Sequence, residues 1–278
     1  MPELPEVETV RRALALDLPG ARVEAVTVHE RRLRHPVRPE VLRRMEGETF
    51  RAAERRAKYL VLRTDGANAL VVHLGMTGRV ELFTSPIVPL RRHDHVSWRL
   101  RSRRGEAFEM RYYDPRRFGL VACLRGASLP RHDLFRHLGP EPLGDAFDAD
   151  YLRARLRRSR RPIKNAIMDA RLVVGVGNIY ASEALWRSRI NPRVASGRVA
   201  RERCARLVES IEAVLDEAIA AGGTTLSDYR NPAGGEGYFR VQLDVYDREG
   251  QDCRRCPGTI RRIVQAGRAT FYCPRCQH

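Results

Sequence analysis

Four of the six cysteines lie close together near the end of the chain, in two Cys-X-X-Cys pairs. Cys253 and Cys256 form the first pair, and Cys273 and Cys276 form the second, with sixteen residues between the pairs. Two such knuckles supply four soft thiolate ligands, the set that tetrahedral Zn²⁺ requires. The alternative is two disulfides, which an intracellular chain disfavours. The spacing therefore predicts one zinc site.

The residues between the two knuckles have the pattern of a β-hairpin. The segments TIRRIV (259–264) and ATFYC (269–273) flank QAGR, which places Arg268 at or beside the turn. The hairpin region carries several arginines and no acidic residue. A rigid zinc hairpin that presents arginine suits the gripping of a nucleic-acid groove or its phosphates. A zinc-stabilised protein-binding module is the alternative.

The composition indicates a partner of opposite charge. Lys and Arg number 51 against 34 Asp and Glu, which gives a formal net charge of +17 and a pI near 10.5. A positive field attracts polyanions, and nucleic acid is the leading candidate. A ribosomal or scaffolding role, or a GC-rich genome that inflates arginine, are the alternatives. No apolar run approaches the roughly 18 residues of a membrane span, and the signal-peptide pattern is missing, so we expect a cytoplasmic protein.

Only two of the 51 cationic residues are lysines, Lys58 and Lys164. Arginine replaces lysine where charge or phosphate contact is enough, but not where a small, deprotonatable ammonium is needed. Both lysines are therefore candidate functional residues, although two lysines also persist by chance in some chains.

A glycine-containing turn, VGVGN, lies between two segments with helical periodicity. Gly175 and Gly177 permit a tight turn whose amides can approach a phosphate backbone closely. Asn178 is placed to cap the second helix, whose N-terminus attracts phosphate. Such turns are also common in proteins that bind no ligand. This motif alone therefore does not decide between a phosphate-binding turn and a purely structural one.

The elements that must position these residues follow three successive patterns. Residues 5–18 predict a helix with Val7, Val10 and Leu14 on one face. Seven short alternating or apolar segments between residues 22 and 125 predict a sandwich of two sheets. Helical periodicity then returns, in the segments 151–159, 163–173, 178–188 and 200–222.

Seven motifs in this order resemble one family, bacterial formamidopyrimidine-DNA glycosylase, which excises oxidised purines. The resemblance covers the whole chain. It rests on PELPEVETVRR (2–12), RRAKYL (55–60), HLGMTG (73–78), DPRRFG (114–119), GVGNIYASEAL (175–185), GGTTLSDY (222–229) and the final ATFYCPRCQ (269–277). The resemblance implies a bifunctional DNA glycosylase and AP lyase of base excision repair, and an α+β fold. The expected parts are a β-sandwich with a leading helix at 1–135, a linker at 136–149, a helical helix-two-turn-helix domain at 150–238 and a four-cysteine zinc-finger hairpin at 239–278.

The family resemblance gives the N-terminal Pro2 and Glu3 catalytic roles. Once the initiator methionine is removed, Pro2 presents a secondary amine, and an α-amino group has a pKa of about 8, below the roughly 10.4 of lysine. Such an amine suits Schiff-base chemistry at a sugar C1′. Glu3 resembles the catalytic acid that protonates the sugar ring oxygen. The alternative is that Pro2 merely precedes the helix.

Three cationic residues match family positions around the lesion. Lys58 matches a lysine that contacts phosphate and is assigned a proton-donor role in β-elimination. Arg268 matches the finger arginine that grips the flanking phosphates and is assigned to δ-elimination; a guanidinium suits the clamp better than the acid. Lys164 resembles a lysine near the damaged base.

Base excision from a duplex leaves a hole where the nucleotide was extruded. Met76, Arg116 and Phe118 match the residues that fill this hole, with Arg116 facing the orphaned cytosine. The alternative for Met76 and Phe118 is ordinary core packing, which is the commoner fate of such residues. His93 and Asn178 match contacts to backbone phosphate.

The segment 222–238, with Thr224, Thr225 and Tyr238, resembles the loop that closes over 8-oxoguanine. The resemblance also implies damaged double-stranded DNA as the partner, a monomer, and no cofactor beyond one structural zinc. A zinc-dependent hydrolase is excluded, because four cysteines close the coordination and leave no place for water.

Two other readings of these residues remain. The sister enzyme, endonuclease VIII, prefers oxidised pyrimidines, but its opening usually has PEGPE where this chain has PELPE. A non-catalytic damage sensor would keep the scaffold, yet Pro2, Glu3, Lys58 and Arg268 are all present.

Overall fold

The structure is a computed structural model that describes residues 2–84, 88–222 and 243–278. The described chain divides into two compact units. The first unit holds Glu6–Arg136 together with Pro2, and the second holds Glu3–Pro5 with the described residues from His137 onwards. The boundaries expected at 135, 149 and 238 stay predictions.

The first unit is built from two four-stranded antiparallel sheets, as the sequence predicts. The helix α1 (Leu4–Asp17) precedes the strands, and Val7, Val10 and Leu14 on its inner face are buried. A short helix α2 (Pro39–Leu42) and two 3₁₀ turns, Arg43–Met45 and Gly126–Arg131, lie among the strands. The strands are β1 (Arg22–Val28), β2 (Phe50–Arg56), β3 (Tyr59–Thr64), β4 (Asn68–His73), β5 (Arg79–Thr84), β6 (Asp94–Arg101), β7 (Ala107–Tyr113) and β8 (Leu120–Arg125).

The described strands of this unit form two sheets, whose connections include the loops between β4 and β5 and between β7 and β8. One sheet has the order β1-β6-β7-β5 and the other has the order β2-β3-β4-β8. One hydrophobic cluster takes in residues of both sheets and of α1, including Val10, Phe50, Trp98 and Met110. A chain that buries one face of each sheet against the other in this way forms a sandwich.

Strand β2 is the element that the sequence pattern missed. Its sequence is FRAAERR, and only Phe50 and Ala53 are buried in it. Alanine and glutamate are depleted in strands, so the segment carries little strand signal of its own. It forms because β3 pairs with it through a two-residue turn, Ala57 and Lys58, between Arg56 and Tyr59.

The described part of the second unit contains four helices, and its core lies among them. The helices are α3 (Ala149–Leu156), α4 (Ile163–Ile167), α5 (Asn178–Arg187) and α6 (Arg201–Ala220), with a 3₁₀ turn at Ser196–Arg198. The helix expected at 163–173 is wrong in length, since α4 ends at Ile167. The Asp169 carboxylate accepts a hydrogen bond from the Arg171 backbone N–H at 3.0 Å, a local turn that competes with the helix.

The end of the second unit is a hairpin of β9 (Arg261–Gln265) and β10 (Arg268–Tyr272). It has its own hydrophobic cluster with Trp186 of α5. The buried carboxylate of Glu183, also on α5, accepts hydrogen bonds from the backbone N–H groups of residues 244–246. These contacts fix the zinc-finger region against α5.

None of the helices in the described ranges is both long and apolar enough to cross a membrane.

Candidate active site and nucleic-acid interface

The carboxylate of Glu3 occupies the N-terminus of helix α5. Its oxygens accept hydrogen bonds from the backbone N–H groups of Gly177 at 2.9 Å, Ile179 at 3.0 Å and Tyr180 at 3.4 Å. Glu3 is only 1% exposed. Because the first amides of a helix are unpaired and carry partial positive charge, they stabilise the ionised carboxylate. The residue bonded to Pro2 is therefore held rigidly.

The two glycines of the VGVGN turn make room for this anchor. A Cβ on Gly177 would lie 2.2 Å from Cδ of Glu3, and one on Gly175 would lie 2.7 Å from Cβ of Leu4. Gly175 also has φ of +82°, and its carbonyl accepts a hydrogen bond from the Leu4 N–H at 3.2 Å. The turn therefore serves the N-terminal segment.

The prediction that Asn178 caps α5 is wrong. The N-cap residue is Gly177, which has no side chain to make the cap. The helix amides are paired with Glu3, a residue far away in sequence.

Asn178 belongs instead to a buried polar network around Lys164. The Lys164 ammonium donates to Oδ1 of Asn178 at 2.6 Å, to Oγ1 of Thr270 at 2.7 Å and to the carbonyl of Ala269 at 3.0 Å. The Asn178 amide donates to the same carbonyl at 2.9 Å. Four hydrogen bonds thus reach three acceptors, and the network joins α4, α5 and β10 directly beside Arg268.

The environment of Lys164 changes its acidity. Burial lowers the pKa of the Lys164 ammonium to about 7, while the negative charge of Glu3 raises it and the positive charge of Arg268 lowers it further. Lys164 is 1% exposed. It therefore lies behind the surface, where it supports Asn178 and the hairpin.

Arg268 is the first residue of β10, immediately after the hairpin turn, as the sequence predicts. The turn residues Ala266 and Gly267 both have positive φ, +47° and +73°, which matches the twist of a two-residue hairpin. Arg268 is exposed and lines a cavity of about 440 Å³ with Arg161 and Lys164. This region concentrates positive charge, which suits an anionic ligand.

The four cysteines of the knuckles converge on one point. Their Sγ atoms all lie within 4.8 Å of one another, and the Cys253–Cys276 and Cys256–Cys273 pairs are 3.8 and 3.6 Å apart. A disulfide needs about 2.05 Å, so the disulfide alternative is wrong. The set fits tetrahedral zinc in donor type, number and spacing. These cysteines hold one structural zinc ion.

In the first unit, Lys58 lies in the turn between β2 and β3 and is half-buried. Its chain neighbour Tyr59 pairs with His73, the last residue of β4, and the positive charge of Lys58 helps to lower the pKa of that imidazole. Burial is the larger cause, and the pKa of His73 falls to about 4. Nδ1 of His73 accepts a hydrogen bond from the Gly75 N–H at 3.0 Å, so the neutral ring carries its proton on Nε2. The Nε2–H group of His73 is therefore available as a hydrogen-bond donor.

His73 is a candidate that sequence reasoning missed. The signal was available, since His73 opens the HLGMTG motif, but a single histidine at a strand end is not distinctive. The pairing of Tyr59 with His73 brings this strand end next to the turn that carries Lys58.

Met76, Arg116 and Phe118 lie on two loops of the first unit and are exposed. Met76 is 37% and Phe118 45% exposed, so ordinary core packing is excluded for both. The Arg116 guanidinium stacks over the Phe118 ring at 4.8 Å from the centroid. An exposed apolar pair beside a stacked arginine is suited to insertion into a base stack.

His93 and Pro2 are both half-buried. His93 packs edge-on against Tyr113, with the ring centroids 5.9 Å apart, and its Nδ1 has no hydrogen-bond partner among the described residues. Thr224, Thr225 and Tyr238 lie outside the described residues.

Comparison with known proteins gives the same assignment over the whole chain. The profile of the formamidopyrimidine-DNA glycosylase N-terminal domain matches residues 1–121, and that of the formamidopyrimidine-DNA glycosylase H2TH domain matches residues 138–230. The profile described as "zinc finger found in FPG and IleRS" matches residues 250–278.

Individual relatives agree with the profiles. Formamidopyrimidine-DNA glycosylases of Thiobacillus denitrificans and Thioalkalivibrio sulfidiphilus are 51% and 50% identical over 277 residues, with both chains of each pair fully covered. A solved complex between Lactococcus lactis Fpg and DNA containing an abasic site is 32% identical with a TM-score of 0.87 and covers 99% of each chain. A complex of the L. lactis protein with DNA containing Fapy-dG has a TM-score of 0.86 at 32% identity, and covers 99% of this chain and 100% of that one.

The fold, the zinc site and these relatives define the class of the protein, a DNA glycosylase of base excision repair. Within that class, the chain belongs to the formamidopyrimidine-DNA glycosylase family. The family and the α+β fold that the sequence motifs predict are confirmed.

Proposed function

We propose that the protein is a bifunctional DNA glycosylase and AP lyase that removes oxidised purines, 8-oxoguanine opposite cytosine and formamidopyrimidines, from double-stranded DNA. The L. lactis complexes with abasic-site and Fapy-dG DNA support this substrate class. The net charge of +17 supports a polyanionic partner. The protein acts as a monomer in the bacterial cytoplasm, reaches the nucleoid through DNA, and uses no cofactor besides its structural zinc.

One observation carries the proposal, the anchoring of Glu3. A buried carboxylate with three backbone donors fixes the peptide unit that begins at Pro2. A reacting amine gains most when it is held in one geometry, because orientation replaces a bimolecular encounter. An N-terminus that served only to start a helix would need no such anchor, since most chain ends are poorly ordered.

The chemistry begins with the secondary amine of Pro2 after removal of the initiator methionine. Its lone pair attacks C1′ of the damaged nucleotide, the glycosidic bond breaks, and the base leaves with the bonding electrons and takes a proton from water. The amine loses its own proton to the neighbouring Glu3 carboxylate. Glu3 then gives that proton to O4′ as the C1′–O4′ bond opens, and the nitrogen lone pair forms a cationic iminium.

The iminium is an electron sink for two successive eliminations. Transfer of a C2′ proton to water expels the 3′-phosphate with its electron pair, and transfer of the C4′ proton to water then expels the 5′-phosphate. Lys58, with His73 beside it, binds the phosphate in the first step and supplies protons there. Arg268 binds the flanking phosphates as a bidentate cation for the second step.

The remaining residues bind and distort the duplex. Met76 and Phe118 fill the hole left by the extruded nucleotide, and Arg116 donates to the orphaned cytosine. His93 and Asn178 contact backbone phosphate. Lys164 acts through Asn178 and the hairpin, as its buried network indicates.

The test is product analysis on three duplexes, which carry 8-oxoguanine opposite cytosine, a preformed abasic site, or an oxidised pyrimidine. We expect strand cleavage of the first two that leaves phosphate at both ends of a one-nucleotide gap, the signature of both eliminations. Glu3→Gln is expected to lower the rate on 8-oxoguanine by at least about 100-fold.

Three results would contradict parts of the proposal. Cleavage of only the oxidised-pyrimidine duplex would assign the sister activity. Base release without strand cleavage would exclude the AP lyase activity. Tight DNA binding without base release, in zinc-loaded protein that lacks Met1, would indicate that the protein is a non-catalytic damage sensor.

A further inference from the structure

The two loops that carry Met76, Arg116 and Phe118 are joined to each other by a buried polar junction. The Thr77 hydroxyl donates to Oδ1 of Asp114 at 2.6 Å and accepts from the Arg116 backbone N–H at 3.3 Å. Thr77 is next to Met76 in the loop between β4 and β5, and Arg116 lies in the loop between β7 and β8. One hydroxyl therefore bridges both loops.

Asp114 is the centre of the junction and is completely buried. Besides the Thr77 bond, its Oδ2 accepts from the Gly119 N–H at 2.9 Å and from the Tyr112 hydroxyl at 3.1 Å. Its backbone carbonyl accepts from Nε2 of His95 at 2.6 Å. A buried carboxylate is stable only when its lone pairs are satisfied, so these donors hold it in one orientation.

The backbones of the two loops also touch closely at one point. Gly75 has φ of +64°, and a Cβ there would lie 2.6 Å from the backbone carbonyl carbon of Phe118 and 2.6 Å from the Gly119 nitrogen. A Cβ on Gly119 would lie 1.7 Å from the Tyr112 hydroxyl oxygen and 2.6 Å from the His73 carbonyl oxygen. The close approach of the two loops therefore requires glycine at both positions.

We propose that Thr77 and Asp114 are positioning residues for recognition of the base opposite the lesion. Their junction fixes the backbone at Arg116 relative to Met76, so that the exposed side chains on both loops act as one rigid unit. The Arg116 side chain is exposed and stacks on Phe118. The direction in which its guanidinium points therefore depends on the position of the Arg116 backbone. The inference rests on the proposed function, in which Arg116 faces the orphaned cytosine.

The substitution Thr77→Val tests the junction with little change of volume. It removes the donor to Asp114 and the acceptor for the Arg116 N–H. Thr77→Ser keeps the hydroxyl and is the matched control, and Arg116→Ala is the reference for lost base recognition. The readout is the ratio of kcat/KM for 8-oxoguanine opposite cytosine to kcat/KM for 8-oxoguanine opposite adenine, with cleavage of a preformed abasic site measured beside it.

We expect Thr77→Val to lower the cytosine-to-adenine ratio at least about fivefold toward that of Arg116→Ala, and to change abasic-site cleavage by less than about twofold, because the chemistry does not depend on this junction. Thr77→Ser should stay within about twofold of the parent in both. A role in folding alone would lower all rates together and leave the ratio unchanged.

Asp114→Asn is the second variant, in case Thr77→Val fails to fold. Its amide keeps an oxygen for Thr77 but brings a donor against the Gly119 N–H and the Tyr112 hydroxyl, so the ratio should again fall. An unchanged ratio in folded Thr77→Val or Asp114→Asn, with a reduced ratio in Arg116→Ala, would overturn the inference alone. An unchanged ratio in Arg116→Ala would overturn the role proposed for Arg116 and the inference with it.

Discussion

The loops of the first unit and the region around the N-terminus of α5 in the second unit present their candidate functional residues in opposite ways. In the first unit Met76, Arg116 and Phe118 are exposed on loops, and a buried junction lies behind them. In the second unit Glu3 and Lys164 are each 1% exposed. Their polar atoms are bonded to helix α5, and those of Lys164 also to the zinc hairpin.

The difference separates side chains that are exposed from side chains that are buried and hydrogen-bonded to the surrounding backbone. Exposed residues lose few intramolecular contacts when the protein unfolds. Their substitution should therefore change activity and leave the free energy of unfolding nearly unchanged. Buried, hydrogen-bonded groups leave unpaired partners behind, so their substitution should change stability as well. The predictions below test this separation.

The largest effect is expected from loss of the zinc. Cys256→Ser, or chelation, should unfold the hairpin and lower the rate of strand cleavage at least about 100-fold, because structural zinc contributes about 10–16 kcal/mol to the folding of small domains that bind it. Zinc content, circular dichroism and cleavage rate give the measurement. Cys204→Ala, at a buried cysteine outside the cluster, should keep its zinc. Full activity in zinc-free Cys256→Ser protein would contradict the role of the hairpin.

The next effect is expected at Lys164. Lys164→Met leaves Asn178 Oδ1 and the Thr270 hydroxyl without their donor, so the free energy of unfolding should fall by about 2–3 kcal/mol. Urea unfolding measures it. The exposed neighbour Arg160 is the control, since Arg160→Met should change the value by less than about 0.5 kcal/mol. Equal losses in both variants would show that the network is not what stabilises the unit.

Phe118 should show the reverse behaviour. Phe118→Ala removes an exposed side chain, so the free energy of unfolding should change by less than about 0.5 kcal/mol, while excision of 8-oxoguanine from duplex DNA should fall about tenfold. Leu16→Ala, at a position that is 85% exposed on α1, is the control and should leave both quantities unchanged. A loss of stability without a loss of excision would reverse the comparison.

The smallest effect is a pH dependence from Lys164. Because its pKa is lowered to about 7 in the folded protein, the unfolded chain binds more protons above that pH, and stability rises as pH increases toward the ordinary lysine value. The stability of the parent relative to Lys164→Met should grow by about 1 kcal/mol between about pH 7 and about pH 8. Urea unfolding at both pH values measures it, and an unchanged difference would show that Lys164 stays charged in the folded protein at both pH values.

Local patterns were enough to predict much of the fold and part of the site. The zinc ligands of each pair have two residues between them, and the hairpin turn adjoins Arg268, so neither depends on distant contacts. The same holds for α1, whose apolar face follows the helical period. Strand β2 and the early end of α4 were missed, because a neighbouring strand forms the first and the Asp169 side chain ends the second.

Long-range polar contacts were beyond the sequence pattern. Glu3 and the amide of Gly177 are 174 residues apart in the chain. Neither segment has a sequence pattern that predicts contact with the other. The sequence therefore placed Asn178 as the cap, where the structure has Glu3. The bonds of Lys164 to β10, 105 and 106 residues away, were hidden for the same reason, although the rarity of lysine marked the residue.

The most direct test of the account is borohydride trapping on a duplex with 8-oxoguanine opposite cytosine, together with the intact mass of the purified protein. The account predicts a covalent adduct between protein and DNA that maps to Pro2, in protein whose mass shows that Met1 has been removed. An adduct that maps to Lys58 or Lys164, or no adduct from zinc-loaded protein that lacks Met1 and binds the duplex, would contradict the central claim that Pro2 forms the Schiff base.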